Sequence, residues 1–228
     1  TFPLTSIMAK IELIHGDCMV EMAKYPDKHF DLAIVDPPYS GAGNDEWLNK
    51  DRGRFGGHFD KYKIERTGGA WANKYGKEIK HWDIAPDEKY FNELFRISKN
   101  QIIWGANYFK NIPPHRCFIV WHKLTISESF SMAMAEYAFC SKNENAKVFK
   151  YPPQDKERFH PTQKPVKLYE WLLKNYAKQG DKILDTHGGS MSIAIACYNL
   201  DFDLTLFELD EDYYKAGVAR FEEHKRQQ

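Results

Sequence analysis

The sequence predicts an α/β fold built on a mostly parallel sheet, and three observations carry that expectation. "FDLAIVD" (30–36) is a nearly continuous apolar run, the pattern of a parallel strand covered on both faces. Strand-like and helix-like segments alternate along most of the chain, as they do when helices cross over between parallel strands. Later in the chain, "ILDTHGGSMSIAIA" (183–196) runs from an apolar strand through paired glycines into an apolar helix, and "DLTLFEL" follows as another strand.

Taken in order, "KIELIHGD" (10–17) is short, β-branched and aliphatic and closes on Gly-Asp, so a strand and a turn are expected. "CMVEMAKYP" gives a short helix stopped by Pro26. Residues 40–85 break the alternation with eight glycines, charges of both signs and scattered rings, and without sustained periodicity they read as a long insertion of the kind that carries function. Pro86 opens a helix expected to bury Phe91, Leu94 and Phe95. "QIIWGA", "CFIVWHK" and "AEYAFCSK" are expected strands, and 141–159 a short polar link. Pro165 begins an amphipathic helix with Tyr169, Leu172, Leu173 and Tyr176 on one face and Gly180 just past its end. The C-terminal segment is a charged amphipathic helix. A single domain is expected over residues 8–228, with the first seven residues outside it.

The 228-residue chain is 43% hydrophobic and 15% aromatic, which excludes the disordered class. No apolar run approaches membrane-spanning length and no signal-peptide pattern opens the chain, so a cytoplasmic protein is expected. Cys18, Cys117, Cys140 and Cys197 lie far apart and are expected as plain core thiols; the histidines share no metal-like spacing with cysteines or acids, and no metal is expected. The formal net charge is zero, yet residues 142–182 hold ten Lys/Arg against five Asp/Glu, whereas 183–228 hold four against nine. That asymmetry fits a basic groove beside an acidic surface, and equally two solvated faces.

Two motifs carry chemistry. In the second half, the glycine turn after Asp185 lets a ligand approach backbone amides at a helix N-terminus, and Glu208 ends the next strand 23 residues on, near the offset of an acid that grips ribose hydroxyls. The turn "THGGSMS" is not a G-x-G-x-x-G pyrophosphate cradle, and with Asp185 before it an amine-bearing ligand without phosphates fits better than a dinucleotide. S-adenosylmethionine, with its ribose, sulfonium and amino-acid tail, matches carboxylates at both strand ends. In the first half, "IVDPPY" places Asp36 at the carboxyl end of its strand, where open α/β sheets hold their ligands. Pro37 and Pro38 fix φ and lack N–H groups, so a carbonyl there can face a ligand, and Tyr39 offers a face for stacking. The set suits a planar ring with an exocyclic amine. Two fixed acceptors, the Asp36 carboxylate and the Pro37 carbonyl, stabilise a nitrogen that becomes more positive as it attacks a methyl group.

The tetrapeptide Asp-Pro-Pro-Tyr followed later by a glycine-bearing strand–turn–helix resembles the amino-methyltransferases of DNA, over nearly the whole chain from Lys10 to about Arg220. With the catalytic motif first and the cofactor motif last, the order is similar to the permuted beta group of adenine-N6 and cytosine-N4 enzymes. The resemblance implies a Rossmann-like methyltransferase fold with a seven-stranded, mostly parallel sheet flanked by helices. It implies catalytic roles for Asp36, Pro37, Pro38 and Tyr39, and S-adenosylmethionine as cofactor. "HGDC" points to Asp17 near the cofactor adenine; "FHPTQKPVKLYEWLL" (159–173) looks like the segment closing over its amino-acid end, which suggests Thr162 and Lys164. By the same likeness Asp185, Gly189 and Ser190 line the methionine portion and Glu208 the ribose. The chain departs from the family pattern at Met191, where a second small glycine is usual, so cofactor contact there is expected to differ. Asp at the first motif position leans toward adenine N6 as the methylated atom. Cytosine N4, an RNA or protein amide, and an inactive nucleic-acid-binding relative remain open.

Double-stranded DNA is the expected partner, and a homodimer or a companion restriction endonuclease is compatible with it. Residues 40–85 hold nine Lys/Arg interleaved with seven Trp, Tyr and Phe, among them Arg52, Arg54, Lys61 and Lys63 as the expected phosphate contacts. A base amine is out of reach inside the duplex stack, so the target base must flip out. Seven acids dilute the same segment, and a lid without a recognition role fits it too. Neutralising Arg52, Arg54 and Lys61 together is expected to weaken DNA binding and to flatten the slope of log affinity against log salt by about 0.9 per lost phosphate contact, which a titration at several salt concentrations measures.

Overall fold

The computed structural model describes residues 9–38, 85–128, 133–153, 159–160 and 162–228. Tyr39, Arg52, Arg54, Lys61 and Lys63, and all of the expected insertion at 40–85 except Ala85, lie outside the described residues. Within them the strands are β1 (Ile11–His15), β2 (Phe30–Val35), β3 (Ser98–Trp104), β4 (Phe118–His122), β5 (Ala135–Cys140), β6 (Lys147–Lys150), β7 (Lys182–Asp185) and β8 (Asp203–Glu208). The helices are α1 (Cys18–Met22), α2 (Glu88–Ile97), α3 (Val166–Tyr176), α4 (Ser192–Leu200) and α5 (Glu211–Arg226).

The strands form one sheet in the order β1-β8-β7-β2-β3-β5-β4-β6, with β5 alone running against its neighbours. The sheet therefore has eight strands rather than the expected seven. The extra one, β6, comes from the segment expected to be only a polar link. Its sequence "KVFK" is four residues long and half charged, which hides a strand signal, yet it pairs in parallel along β4 from Ile119 with Lys147 to His122 with Lys150. Phe149 anchors it by packing against Trp171 of α3, with ring centroids 5.4 Å apart.

Side chains alternate between the two faces of the central strands. Leu32 and Ile34 of β2, Ile102 and Trp104 of β3, Ile183 of β7 and Leu204 and Leu206 of β8 join α3, α4 and α5 in one buried cluster. Ala33 and Val35, Ile103, Leu184 and Phe207 join α1 and α2 in the other. Both faces are apolar, which is why the strands read as continuous apolar runs in the sequence. Helix α2 begins after Asp87, whose carboxylate accepts from the backbone N–H groups of Lys89 at 2.9 Å and Tyr90 at 3.3 Å. It buries Tyr90, Phe91, Leu94 and Ile97; Phe95, expected inside, is only half-buried because it lies off that stripe, at the margin against Phe139. Cys117, Cys140 and Cys197 are buried free thiols and Cys18 is half-buried.

The departure at Met191 is resolved by a partner on α5. Met191 caps α4 with φ of 56°, a left-handed conformation that glycine adopts at little cost. Its side chain is fully buried and turned onto α5 at Gly217, where a β-carbon would lie 2.7 Å from its Cγ and 2.9 Å from its Sδ. The bulk missing at 217 is supplied by residue 191. Gly217→Ala, which adds helix propensity of about 1 kcal/mol, is therefore expected to destabilise the protein through a clash of about 1–3 kcal/mol. In a Met191→Ala background the same change should become neutral or stabilising, as denaturant unfolding of the four proteins would show.

Candidate functional site

Strand order reverses between β7 and β2: β8 and β1 continue on one side and β3 on the other. Such a switch point opens a crevice at the carboxyl ends of the strands. In the register, Leu32 lies opposite Ile183 and Ala33 opposite Leu184, so Asp36 and Asp185 emerge from neighbouring strand ends. Further acids extend the row. Glu208 ends β8, Asp17 follows β1, and Glu136 enters from the other side because antiparallel β5 puts its amino end at this edge.

The glycine turn is held from β8. Gly188 donates its N–H to the Phe207 carbonyl at 2.8 Å, and a side chain there would collide with Leu206. Gly189 donates to Glu208 Oε2 at 2.7 Å, while Asp210 donates its backbone N–H to Glu208 Oε1 at 2.8 Å. The His160 imidazole covers the turn, 3.4 Å from where a β-carbon of Gly189 would stand, and meets Tyr213 edge-on at 4.3 Å. Thr162 Oγ1 lies 3.2 Å from His160 Nδ1, so Thr162 steadies that imidazole. Ser190 Oγ is buried against Ser192 Oγ at 3.1 Å, and Asp17 caps α1 by accepting from Met19 N–H at 2.7 Å.

Asp185 accepts the His187 backbone N–H at 3.0 Å and is almost fully buried. Burial pushes its carboxyl up to about 7; the His187 N–H pulls the other way, and the charges of Asp36 and Glu208 add to the rise. Burial raises Glu208 as well and lowers the His187 imidazole to about 4, which keeps it neutral. Among the described residues no lysine or arginine forms an ion pair with Asp185 or Glu208. These two acids thus have no cationic side-chain partner, a place that a ligand amine and sulfonium would fill, and as acceptors they fit S-adenosylmethionine.

The other half is a closed ionic chain that the sequence did not reveal. Lys164 Nζ pairs with Asp36 Oδ2, lies 3.2 Å from Glu136 Oε2, and stands 5.4 Å above the ring centre of buried Trp104. Lys123 Nζ in turn pairs with Glu136 Oε1 at 2.5 Å. Lys164, expected at the cofactor, pairs with Asp36: β3 lies between β2 and β5, and Trp104 at its end gives the long side chain a floor across the gap. Burial would raise Glu136, but the Lys164 and Lys123 ammoniums outweigh it and bring its carboxyl to about 2. Burial raises Asp36, with Lys164 opposing and Glu136 adding to the rise. Asp36 Oδ1 is buried and has no hydrogen-bond partner among the described residues. Glu136 and Lys123 were missed because one lies near the start of an apolar strand run, "AEYAFC", and the other just after one, "FIVWH", where a single charge reads as a strand end.

Carboxylates and a glycine turn at the switch point of a mostly parallel, helix-flanked sheet define a Rossmann-like methyltransferase fold. A family model described as DNA methylase matches residues 30–219, and the chain belongs to that N6/N4 DNA methylase family. It is 23% identical to the putative methylase YubD of Escherichia coli (strain K12), over 91% of this chain and 88% of that one. Among solved structures it is similar to TTHA0409 from Thermus thermophilus in complex with S-adenosyl-L-methionine, with TM-score 0.56, 16% identity and 93% of each chain covered. It is also similar to the M1.HpyAVI–SAM complex, with TM-score 0.53, 18% identity and coverage of 92% of this chain and 99% of that one. PvuII DNA methyltransferase, cytosine-N4-specific, gives TM-score 0.56 at 12% identity, covering 96% and 91%.

Above pH 7 the folded protein must carry Asp185 ionised in a site that disfavours the charge, whereas below about pH 4 the carboxyl is protonated in folded and unfolded chains alike. The penalty therefore grows as pH rises from about 4 to about 7 and is complete above that. Asp185→Asn, which keeps the acceptor for His187, is expected to stabilise the ligand-free protein at pH 8 by on the order of 2–4 kcal/mol, roughly 5–10 °C in Tm. The gain should vanish near pH 4, as thermal melts across that range would test.

Proposed function

We propose that this protein methylates the exocyclic N6 of adenine in DNA, using S-adenosylmethionine. The observation that carries the reading is the emergence of Asp36 and Asp185 from adjacent strands at one switch point, which sets a proline-fixed acceptor site beside the glycine turn. Bound in the acidic half, S-adenosylmethionine supplies a methyl group on a sulfonium that accepts back the electron pair of the breaking C–S bond.

The chain's own residues bind and orient. Asp185, Gly189 and Glu208 hold the cofactor's polar ends, and His160, braced by Thr162, closes over the turn. Asp36 Oδ1 and the Pro37 carbonyl each accept one hydrogen of the base amine, with Tyr39 stacked on the ring. These acceptors favour the pyramidal nitrogen that forms the new N–C bond and then releases one proton to water. Much of the remaining acceleration comes from aligning nitrogen, methyl and sulfur within one rigid crevice. The segment 40–85, with Arg52, Arg54, Lys61 and Lys63, grips the phosphates around a flipped base, within a single domain over 8–228. The likeness to a cytosine-N4-specific fold keeps cytosine N4 as the second reading, since its amine presents the same two hydrogens.

Asp36→Ala is expected to lower methyl transfer by at least about 10²–10³-fold, with S-adenosylmethionine affinity held within a few-fold and the melting transition retained. Labelled S-adenosylmethionine, mixed-sequence DNA and mass spectrometry of the digested product give the rate and identify the base; methylcytosine would select the second reading, and no labelled base would defeat both.

A further inference from the structure

We propose that Lys164 is a positioning residue for Asp36 rather than a cofactor ligand: it keeps the carboxylate ionised with Oδ1 left free, and the Lys123–Glu136 pair holds Lys164 in place. The inference deepens the reading of Asp36 as acceptor for the base amine and rests on it.

The geometry is specific. Lys164 leaves the segment before α3, crosses the Trp104 ring and ends between two carboxylates from opposite sides of β3. Its side chain is 2% exposed, so the ammonium has given up water for these partners. Glu136 shares its two oxygens between Lys164 and Lys123, which leaves the four charges balanced. One Asp36 oxygen is taken by Lys164, and the other is buried without a partner among the described residues. An unpartnered buried carboxylate oxygen is costly, and a ligand hydrogen removes that cost.

Without Lys164, the groups facing Asp36 would be the Glu136 carboxylate, the Asp185 carboxyl, the phenols Tyr90 and Tyr169, and Lys123, which is already engaged with Glu136. A buried carboxyl so surrounded takes up a proton. A protonated Asp36 presents a donor or a weakened acceptor to an amine that needs acceptors, so transfer should fail at neutral pH and recover as pH rises.

The test follows the Asp36 carboxyl carbon by NMR against pH in the ligand-free wild type, Lys164→Met and Lys164→Arg, beside single-turnover methyl transfer against pH and calorimetric S-adenosylmethionine binding. In Lys164→Met the Asp36 midpoint should rise by at least about one pH unit and the acid limb of the rate should move with it. Cofactor affinity should stay within about three-fold, and Lys164→Arg should restore both profiles. A roughly tenfold loss of cofactor affinity with the Asp36 midpoint unmoved would make Lys164 a cofactor ligand and overturn the proposal, as would a rate loss equal at every pH. Should Lys164→Met not fold, the wild type still decides: the Lys164 Nζ resonance must shift at the Asp36 midpoint, and its failure to do so overturns the contact. Absence of methyl transfer by the wild type would defeat the functional reading alone, with the titrations still deciding whether Lys164 governs Asp36.

Discussion

The pairing of β2 with β7 is the contact on which the rest of the molecule depends. The two strands are distant in the chain, yet Leu32 lies opposite Ile183 and Ala33 opposite Leu184, and that register delivers two aspartates to the same edge. A slip of one residue would turn both apolar sets to the wrong faces of the sheet, so core packing on two sides locks the site's geometry. Function and stability are therefore set by one ladder. The opposing tendency is electrostatic, since the same register brings buried acids close enough to raise one another's proton affinity.

The crevice handles its charge in two ways. On the β3 side, Asp36 and Glu136 are neutralised by Lys164 and Lys123, although Asp36 Oδ1 keeps no partner among the described residues. On the β8 side, Asp185 and Glu208 are held by backbone N–H groups, which stabilise carboxylates without cancelling their charge. The second arrangement leaves an electrostatic demand that a cationic ligand meets, and a protein that binds its ligand this way gives up stability when empty.

Much of this was legible in the sequence, for reasons that differ by element. The central strands announced themselves because both faces are buried, and the glycine turn because Gly188 cannot carry a side chain against Leu206. β6 was hidden by its length and its lysines, and its place is set by partners on β4 and α3 rather than by its own pattern. Asp36 and Asp185 could be named from strand ends alone. That Lys164 reaches Asp36 could not, because the contact joins residues 128 apart through a strand order that local patterns do not encode. Met191 stood out in the sequence only as a departure from the family pattern, and its fit against Gly217, a compensation between α4 and α5, is visible only in three dimensions.

The reversed direction of β5 has a consequence for how such a fold can diversify. Because β4 runs toward the crevice and β5 runs away from it, the chain leaves β4 at His122 and enters β5 at Ala135 on the same rim as the two aspartates. Chain can be inserted beyond Lys123, which stays in place against Glu136, with no strand register disturbed. The hairpin is thus a graft point at which new selectivity could evolve or be engineered while the chemistry beneath it stays fixed.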